Sequence, residues 1–366
     1  MPRILLLSDA DASRPFGSYQ RPFHLARTLS LAGWEVSHLC AEGCASPGLE
    51  FRYLKNSFFS NPDSAVRYLR RLWRLPHYDI VFASHLRHGL LFRIVKAATA
   101  DSARLVIDFH SLAMMDQSTL SGHLLSFCEG VVSRFADHVT VASESLACLL
   151  LRLGIPLRKL STIPNGVDVS RYYPPPSSVR DMARKQLNLS DEFVAILVSP
   201  LNFRSNRLAL KFTRSVARIA LRDFKRVRFL IVGLGTDTQR ESMPPNCTVY
   251  GYVKDLPLYL FAADVALAPY PSSARSGGAR NKVLEYMACG VPVISTLEGM
   301  RGIQGAVPNV HFLLADETPI GFLDSISKAS SNQNLKTIAS DGANLASGNF
   351  SWESAGEKLD RVLRNL

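Results

Sequence analysis

Short apolar runs typical of buried strands alternate along this chain with longer runs typical of helices. In the first half, the alternation predicts strands at Arg3 to Ser8, Trp34 to Leu39, Asp79 to Ser84, Arg104 to Phe109 and His138 to Ala142. Between them it predicts helices at Arg21 to Ala32, Ser64 to Arg74, Gly89 to Ala98 and Leu120 to Ala136. Such alternation favours an α/β fold, in which helices cover both faces of a parallel sheet, as in a Rossmann-like domain.

The alternation restarts after a proline-rich segment at Tyr172 to Ser178, which is typical of an interdomain linker. The second half predicts strands at Val194 to Val198, Arg228 to Val232, Thr248 to Tyr250, Val265 to Ala268 and Val291 to Ile294. It predicts helices at Leu208 to Ala220, Leu256 to Ala262 and Trp352 to Leu366. A chain of 366 residues also exceeds the ~250 to 300 at which one core stops growing. We therefore predict two domains that divide after residue 172.

The charge and cysteine content narrow the class of protein. The net charge of +11 predicts anionic partners, which include nucleic acid, a membrane surface and phosphorylated substrates. No nucleic-acid recognition module is visible, so we do not expect nucleic acid to be the partner. The 6 cysteines are scattered, without metal-ligand spacing, and predict reduced thiols and no metal site. Without a signal peptide or an apolar run of ~18 residues, we expect a cytoplasmic protein.

Two glycines, Gly277 and Gly278, precede a helical run that contains Arg280, Lys282 and Glu285. The amino-terminal end of a helix attracts phosphate through its backbone N–H groups and its dipole. The arginine and the lysine add positive charge at that end. Glu285, three residues after Lys282 on the same helix face, can accept hydrogen bonds from the two hydroxyls of a ribose. This pattern predicts a site for a nucleoside diphosphate.

An ordered series of motifs resembles the retaining glycosyltransferases of family 4, within the group 1 glycosyl transferases. The motifs run from Asp108-Phe109-His110 and Ile163-Pro164-Asn165-Gly166-Val167-Asp168 through Val249-Tyr250-Gly251-Tyr252-Val253 and Ala263-Asp264-Val265-Ala266-Leu267-Ala268-Pro269 to Leu284-Glu285-Tyr286-Met287-Ala288-Cys289-Gly290-Val291-Pro292-Val293-Ile294. The resemblance implies a GT-B fold, with two Rossmann-like domains facing across a cleft. It implies that a C-terminal helix at 350–366 returns to the acceptor domain at 1–172. Residues 173–349 then form the nucleotide-sugar donor domain.

The same resemblance implies an activity and roles for particular residues. The enzyme would move a sugar from a nucleoside-diphosphate sugar to a glycan or lipid-linked glycan, without a metal or other cofactor. Glu285 would bind the ribose, and His110 would contact the donor sugar near the reacting centre. Gly17 and Ser18 would approach the diphosphate from the first domain.

The chain departs from the family pattern at two places. Gly277 stands where the family often has a second glutamate, so the sugar contacts are expected from backbone N–H groups of 276–279 or from Arg275. The usual arginine and lysine would fall near Pro200 and Asn206, which carry no charge. The candidate replacements are Arg204, Arg207, Arg280 and Lys282. The run Arg280-Asn281-Lys282 resembles a variant subgroup of the family.

The full prediction assigns His110, Arg204 and Lys282 to catalysis. It assigns nucleotide-sugar binding to Gly17, Ser18, Arg207, Gly233, Gly277, Gly278, Arg280, Asn281 and Glu285. Gly233 belongs to a Gly-x-Gly turn that begins a dinucleotide fingerprint, but Thr238 replaces its third glycine, so we interpret the turn as packing near the nucleotide. Asp9 and Asp11 match a metal-binding DxD pattern, but their place directly after a strand favours a capped loop.

Two other functions remain open on the sequence alone. One is a noncatalytic protein that binds sugar nucleotides, and the other is a sugar-nucleotide epimerase on the same fold. A separate hypothesis concerns the helix at Val66 to Trp73, where Arg67, Arg70, Arg71 and Arg74 are interleaved with apolar residues. This pattern predicts peripheral contact with an anionic membrane at its inner face.

Overall fold

The computed structural model describes residues 1–8, 17–41, 50–54, 70, 72–84, 86–99, 102–112, 120–200, 203–233, 243–274 and 277–366. The chain forms two compact units. The first comprises Met1–Gly166 and Trp352–Leu366, and the second comprises Val167–Ser351. Each unit has its own hydrophobic core on both faces of a parallel sheet.

The sheet of the first unit has seven strands in the order β3-β2-β1-β4-β5-β6-β7. The strands are β1 (Arg3–Leu7), β2 (Glu35–Ala41), β3 (Glu50–Leu54), β4 (Ile80–Ser84), β5 (Arg104–Phe109), β6 (His138–Val141) and β7 (Leu160–Thr162). The helices among them are α1 (Gly17–Leu31), α2 (Leu86–Thr99), α3 (Leu120–Ser133) and α4 (Glu144–Arg152). All the strand pairs are parallel, as the alternation predicted.

The second unit has a six-stranded parallel sheet in the order β10-β9-β8-β11-β12-β13. Its strands are β8 (Phe193–Val198), β9 (Val227–Val232), β10 (Cys247–Tyr250), β11 (Val265–Ala268), β12 (Val293–Ser295) and β13 (Leu313–Leu314). Its helices are α5 (Ser177–Gln186), α6 (Arg204–Asp223), α7 (Leu256–Ala262), α8 (Asn281–Ala288), α9 (Pro319–Ala329) and α10 (Leu335–Asn349). Strand order reverses at β8, which lies between β9 and β11.

A last helix, α11 (Trp352–Arg364), returns to the first unit and packs against α1. Its Trp352 ring stacks on His24, with 4.8 Å between ring centroids. Trp34 Nε1 donates a hydrogen bond of 2.6 Å to Oδ1 of Asp360. Leu359 is buried in the core beneath α1, which explains the amphipathic pattern of the last helix. The predicted α/β class with two Rossmann-like units is confirmed, and so is the return of the last helix to the first unit.

Alternate residues of the central strands pack against different helix layers in the first unit. Ile4 and Leu6 of β1 share a core with α1 and α11. Leu5 and Leu7 share a core with α2 and α4 on the opposite face. Burial on both faces explains why these strands are continuous apolar runs in the sequence.

Several helix starts lie outside the predicted bounds. Helix α1 begins at Gly17 rather than Arg21, and α6 begins at Arg204 rather than Leu208. The first turn of α1 contains glycine and serine, and Pro22 follows, so the helix propensity of this turn is low. Its helical conformation therefore depends on packing against the rest of the unit. Of the predicted helix 64–74, residues 70, 72 and 73 are helical, and most of the rest lies outside the described residues. None of the described helices combines the length and the apolar character needed to cross a bilayer.

A buried ion pair joins three parts of the first unit. Arg21 of α1 donates Nε and Nη2 to the two carboxylate oxygens of Asp108, each at 2.8 Å, and both side chains are 1% exposed. Arg21 Nη1 also donates to the carbonyl oxygen of Pro164, and Thr140 donates to Asp108 Oδ1 at 2.7 Å. Burial alone would raise the pKa of Asp108, but the Arg21 charge and these hydrogen bonds hold that pKa below its usual value.

We expect Asp108→Ala to lower the free energy of unfolding of the first unit by ~3–5 kcal/mol, because it leaves the Arg21 guanidinium buried without its carboxylate. All three tryptophans, Trp34, Trp73 and Trp352, belong to this unit, so tryptophan fluorescence during urea unfolding reports on it. Glu35→Ala, which removes the exposed partner of Arg3, is the control and should cost at most ~1 kcal/mol. Equal losses in the two variants would contradict the assignment.

Candidate functional site

A lysine from α8 places its ammonium group at the carboxyl end of β8. Nζ of Lys282 donates hydrogen bonds to the carbonyl oxygen of Val198 at 2.6 Å and to Oδ1 of Asn206 at 2.8 Å. Val198 is the last residue of β8, and Asn206 lies in the first turn of α6. Open α/β sheets bind ligands at this end of the strands, where the strand order reverses. The ammonium group therefore lies where such a fold receives an anionic ligand.

The buried amide of Asn206 organises the groups around this ammonium. Its Nδ2 donates to the carbonyl oxygen of Pro200 at 2.7 Å, so its oxygen is turned toward Lys282. The hydroxyl of Tyr270 donates to the same oxygen at 3.1 Å. Asn206 is uncharged, although a cation was expected near its position. Its side chain instead binds the ammonium group of Lys282, which comes from another helix.

Arg280, just before α8, is buried and fully engaged with protein groups. Its Nη1 donates to the carbonyl oxygen of Glu298, and its Nη2 donates to Glu298 Oε1 at 3.1 Å and to the carbonyl oxygen of Ala274 at 2.6 Å. The guanidinium carbon lies 3.9 Å from the centroid of the Tyr270 ring. These contacts fix the chain before α8 against the segment after β12. The predicted contact of Arg280 with a diphosphate stays a prediction.

The backbone that leads into α8 packs directly on Gly302. Gly302 has φ of 85°, and a Cβ there would lie 2.4 Å from the backbone nitrogen of Ala279 and 2.6 Å from the carbonyl carbon of Gly278. Gly277 and Gly278 are both buried. Close approach of two backbones therefore sets the position of the glycine pair relative to the helix start.

Glu285 lies one turn into α8, after the lysine. Burial raises the pKa of its carboxyl group to about 7, although the positive charges of Lys282 and Arg171 act to lower it. Burial also raises the pKa of the Tyr172 hydroxyl, and the charge of Glu285 raises it further. A partly buried carboxylate with two cations near it can accept hydrogen bonds from paired hydroxyl groups.

Asn281, the first residue of α8, has a buried amide nitrogen without a hydrogen-bond partner among the described residues. A buried donor without an acceptor costs ~1–3 kcal/mol, so an acceptor on a ligand would stabilise it. The predicted place of Asn281 in a binding site stays a prediction.

The remaining predicted residues of the second unit lie at neighbouring strand and helix ends. Gly233 follows β9 directly, and its N–H donates to the carbonyl oxygen of Tyr250 at 3.1 Å. Arg204 and Arg207 are exposed in the first turn of α6, where Arg204 Nη1 donates to the carbonyl oxygen of Ser273 at 3.3 Å. Arg204 therefore begins a helix rather than lying in a loop.

In the first unit, His110 follows the carboxyl end of β5 and is partly buried. Its charge acts on Asp108, two residues earlier, and helps to lower the pKa of that carboxyl group. Gly17 and Ser18 form the start of α1, which Arg21 ties to β5 through Asp108. Asp9 and Asp11 lie outside the described residues.

The sequence interpretation missed several groups that hold the site together. They are Arg171, Tyr270, the amide function of Asn206 and the carboxylate of Glu298, which also accepts from Arg301 Nε at 2.6 Å. Their partners lie far away along the chain, so no short motif indicates them. Because a buried arginine needs a carboxylate partner, the sequence could have indicated that Arg280 has one. It could not have identified that partner as Glu298.

We expect Gly302→Ala to destabilise the second unit by ~3 kcal/mol or more, because the added Cβ meets the backbone before α8. Gly305→Ala is a matched control: its φ is also 85°, but the nearest atom to its Cβ lies 3.6 Å away. It should cost only the ~1–2 kcal/mol of a left-handed alanine. Urea unfolding followed by far-ultraviolet circular dichroism measures both, and equal losses would show that the close approach is not important.

Two family models match most of this chain. Residues 17–166 match the model described as glycosyl transferase 4-like domain, and residues 194–332 match the one described as glycosyl transferases group 1. A curated relative, D-inositol 3-phosphate glycosyltransferase of Xylanimonas cellulosilytica, is 26% identical and is aligned over 77% of this chain and 70% of its own length.

Two solved structures share the fold over the whole chain. Sucrose-phosphate synthase from Thermosynechococcus elongatus superposes with a TM-score of 0.80 at 20% identity, covering 100% of this chain and 99% of the synthase. HepE from Anabaena, in complex with UDP and glucose, gives a TM-score of 0.77 at 18% identity and covers 100% of both chains. With the two parallel-sheet units described above, these matches show that the chain belongs to the group 1 glycosyl transferases of the GT-B fold.

Proposed function

We propose that this glycosyltransferase moves a sugar, with retention of anomeric configuration and without a metal, from a nucleoside-diphosphate sugar to a glycan or a lipid-linked glycan. The observation that carries the proposal is the ammonium group of Lys282, held at the end of β8 by Val198 and Asn206. This is a fixed cation where a diphosphate is expected to leave.

The proposed chemistry breaks the bond between the anomeric carbon and the diphosphate oxygen. The bonding electron pair goes to that oxygen, and the sugar ring gains positive charge. An acceptor hydroxyl attacks from the face that the diphosphate leaves, and its proton goes to the departing phosphate. A fixed cation beside the phosphate stabilises the developing negative charge without reorganisation. Lys282 has this role, and Arg204 is the second candidate cation.

Glu285 is proposed to bind the ribose of the donor through paired hydrogen bonds. It lies one turn after Lys282 on the same helix, so a nucleotide bound there would have its phosphate toward the helix start and its ribose further along. UDP is the first nucleotide to test, because the HepE structure contains UDP. The roles of His110, Gly17 and Ser18 in the first unit remain predictions.

The acceptor is proposed from charge and by analogy. A net charge of +11 suits an anionic or membrane-borne acceptor. The curated relative is named for D-inositol 3-phosphate, so that compound belongs in the acceptor panel beside lipid-linked glycans. We expect the reaction at the inner face of a membrane.

We expect UDP to raise the thermal stability of the wild-type protein and Glu285→Ala to abolish that response. A ligand at 100 times its dissociation constant adds ~2.7 kcal/mol, so the shift is easily measured. Because the carboxyl pKa is about 7, ionisation must accompany binding at lower pH, and affinity should fall as pH drops below 7.

Titration of UDP binding by calorimetry from acid to alkaline pH tests this dependence. Glu285→Gln removes the carboxyl group and corrects for titration of the UDP phosphate itself. GDP, ADP and the corresponding sugars form the comparison set. An unchanged UDP response in Glu285→Ala, or the same pH dependence in Glu285→Gln, would refute the ribose role.

We expect Lys282→Ala to lower kcat by ~10²-fold, the typical cost of losing one group that stabilises a transition-state charge. Lys211→Ala, an exposed lysine on α6, is the control and should retain wild-type activity. The assay measures UDP release with UDP-sugars and the acceptor panel, with and without EDTA. Anomeric proton NMR of the product checks retention.

The same assay separates the alternatives. Nucleotide binding with only slow hydrolysis would favour the noncatalytic binding protein. Interconversion of the donor sugar would favour the epimerase. Full activity of Lys282→Ala would remove the proposed catalytic role of the lysine while leaving nucleotide binding by Glu285 open to its own test.

A further inference from the structure

Helix α3 has the reverse of the usual amphipathic arrangement. Its small residues face the protein, with Gly122, Ser126, Gly130 and Ser133 buried. Its large apolar residues face solvent, with Leu120, Leu124 and Phe127 exposed by 88%, 64% and 56%. Glu129 is the only charged residue among the 14 of this helix. A surface helix normally presents its polar side to water, so this outward side requires an explanation.

Close packing fixes this orientation. A Cβ at Gly130 would lie 2.7 Å from Cβ of Leu153, which packs on the core beneath. The inward side therefore has room only for small residues. The large residues face outward because α3 lies close to Leu153. A rotation of α3 about its axis would bring Leu124 or Phe127 against Leu153, where there is no room for them.

Neighbouring segments extend the same apolar surface. Helix α2 packs against α3, and its Leu90 and Ile94 are exposed. Arg93 of α2 donates Nε to the carbonyl oxygen of Phe135 at 2.8 Å, and the Phe135 side chain is 66% exposed. On the other side of α2, exposed Trp73 shares a cavity wall with Phe92 and Val95. We name the set Trp73, Leu90, Ile94, Leu124, Phe127 and Phe135 the outer apolar face.

Positive charge borders the outer apolar face. Arg70 and Arg74 are exposed on either side of Trp73 in the sequence, and exposed Arg134 follows the end of α3, where its Nη2 donates to the carbonyl oxygen of Leu153 at 2.8 Å. Asp137, on the same layer, is paired with Arg93 at 3.4 Å and with Lys96 at 4.0 Å, so its negative charge is compensated. Apolar side chains within a border of arginines complement a bilayer with anionic headgroups.

We propose that the outer apolar face docks on an anionic lipid bilayer. Its apolar side chains would enter the interfacial region, and the bordering arginines would contact the headgroups. A second copy of this chain suits the surface less well, because a two-fold symmetric contact would bring like-charged borders together. The inference deepens the proposed function, since a lipid-linked acceptor would then be met at the surface that holds the enzyme.

Sedimentation with vesicles tests the inference without any enzymatic step. The vesicles contain phosphatidylcholine with or without phosphatidylglycerol, at low and high salt. The double variant Leu124→Gln and Phe127→Gln keeps the net charge and changes only exposed positions, so folding should be preserved. Its matched control is Leu31→Gln, which alters an exposed leucine, 77% accessible, on α1 at the opposite face of the sheet.

We expect the wild type and Leu31→Gln to bind phosphatidylglycerol vesicles and to be released by salt. The double variant should bind at least ~10-fold more weakly, from the loss of two inserted apolar side chains. Arg74→Gln should weaken binding only at low salt, where the charge term is unscreened. Stabilisation by UDP serves as the folding control and should be unchanged in every variant.

Equal vesicle binding by the wild type and the double variant would overturn the proposal. So would sedimentation equilibrium showing a wild-type dimer that the double variant separates, because the face would then join two copies. Both results leave UDP binding and sugar transfer intact. Conversely, loss of the UDP response with vesicle binding preserved would count against the proposed function alone.

Discussion

The ammonium group of Lys282 is held between a backbone carbonyl oxygen at the end of β8 and the amide oxygen of Asn206. This contact ties the start of α8 to the central strand and to the first turn of α6. Both acceptors are neutral dipoles, so they fix the ammonium group without neutralising its charge. A salt bridge in the same place would have compensated that charge and left less of it for a ligand.

The neighbouring arginine has the opposite arrangement. Arg280 is buried, and the carboxylate of Glu298 compensates its charge while the ring of Tyr270 covers one face of the guanidinium. The ion pair organises backbone, with Gly302 beneath the glycine pair before α8. Arg280 and Lys282 are only two residues apart in sequence, but their environments differ. The charge of Arg280 is paired with a carboxylate inside the protein, whereas the ammonium group of Lys282 is held at a strand end by neutral oxygens. A similar contrast occurs in the first unit. Asp108 is buried in an ion pair with Arg21, whereas His110, two residues later, is partly exposed.

The sequence predicted those features that depend on local patterns. The strands β1, β4, β5, β8, β9 and β11 are continuous apolar runs, and α8 is bounded by a glycine pair and Gly290, so their places were accessible. The short strands β3, β7 and β13 and the helices α4, α5, α9 and α10 were not predicted, because their patterns are brief or interrupted. Lys282 and Glu285 could be placed together from the sequence because they share one helix face. Asn206 lies 76 residues from Lys282, and its hydrogen bond to that lysine exists only in the folded chain. The sequence therefore indicated only that Asn206 is not the expected cation.

The exposure of the large apolar residues of α3 was also not predicted. The periodicity identifies a helix, but in the structure its small residues rather than its large ones face inward.

The return of α11 to the first unit has a consequence for the order in which the protein is made. The second unit is one continuous stretch of chain, Val167–Ser351, whereas the first needs Trp352–Leu366 to cover the core beside α1. A ribosome delivers the whole second unit before it delivers α11. Domains generally fold as units during synthesis, so the part of the core beside α1 that α11 covers stays open while the second unit is completed. Nascent chains of this protein therefore expose apolar surface of the first unit until α11 emerges.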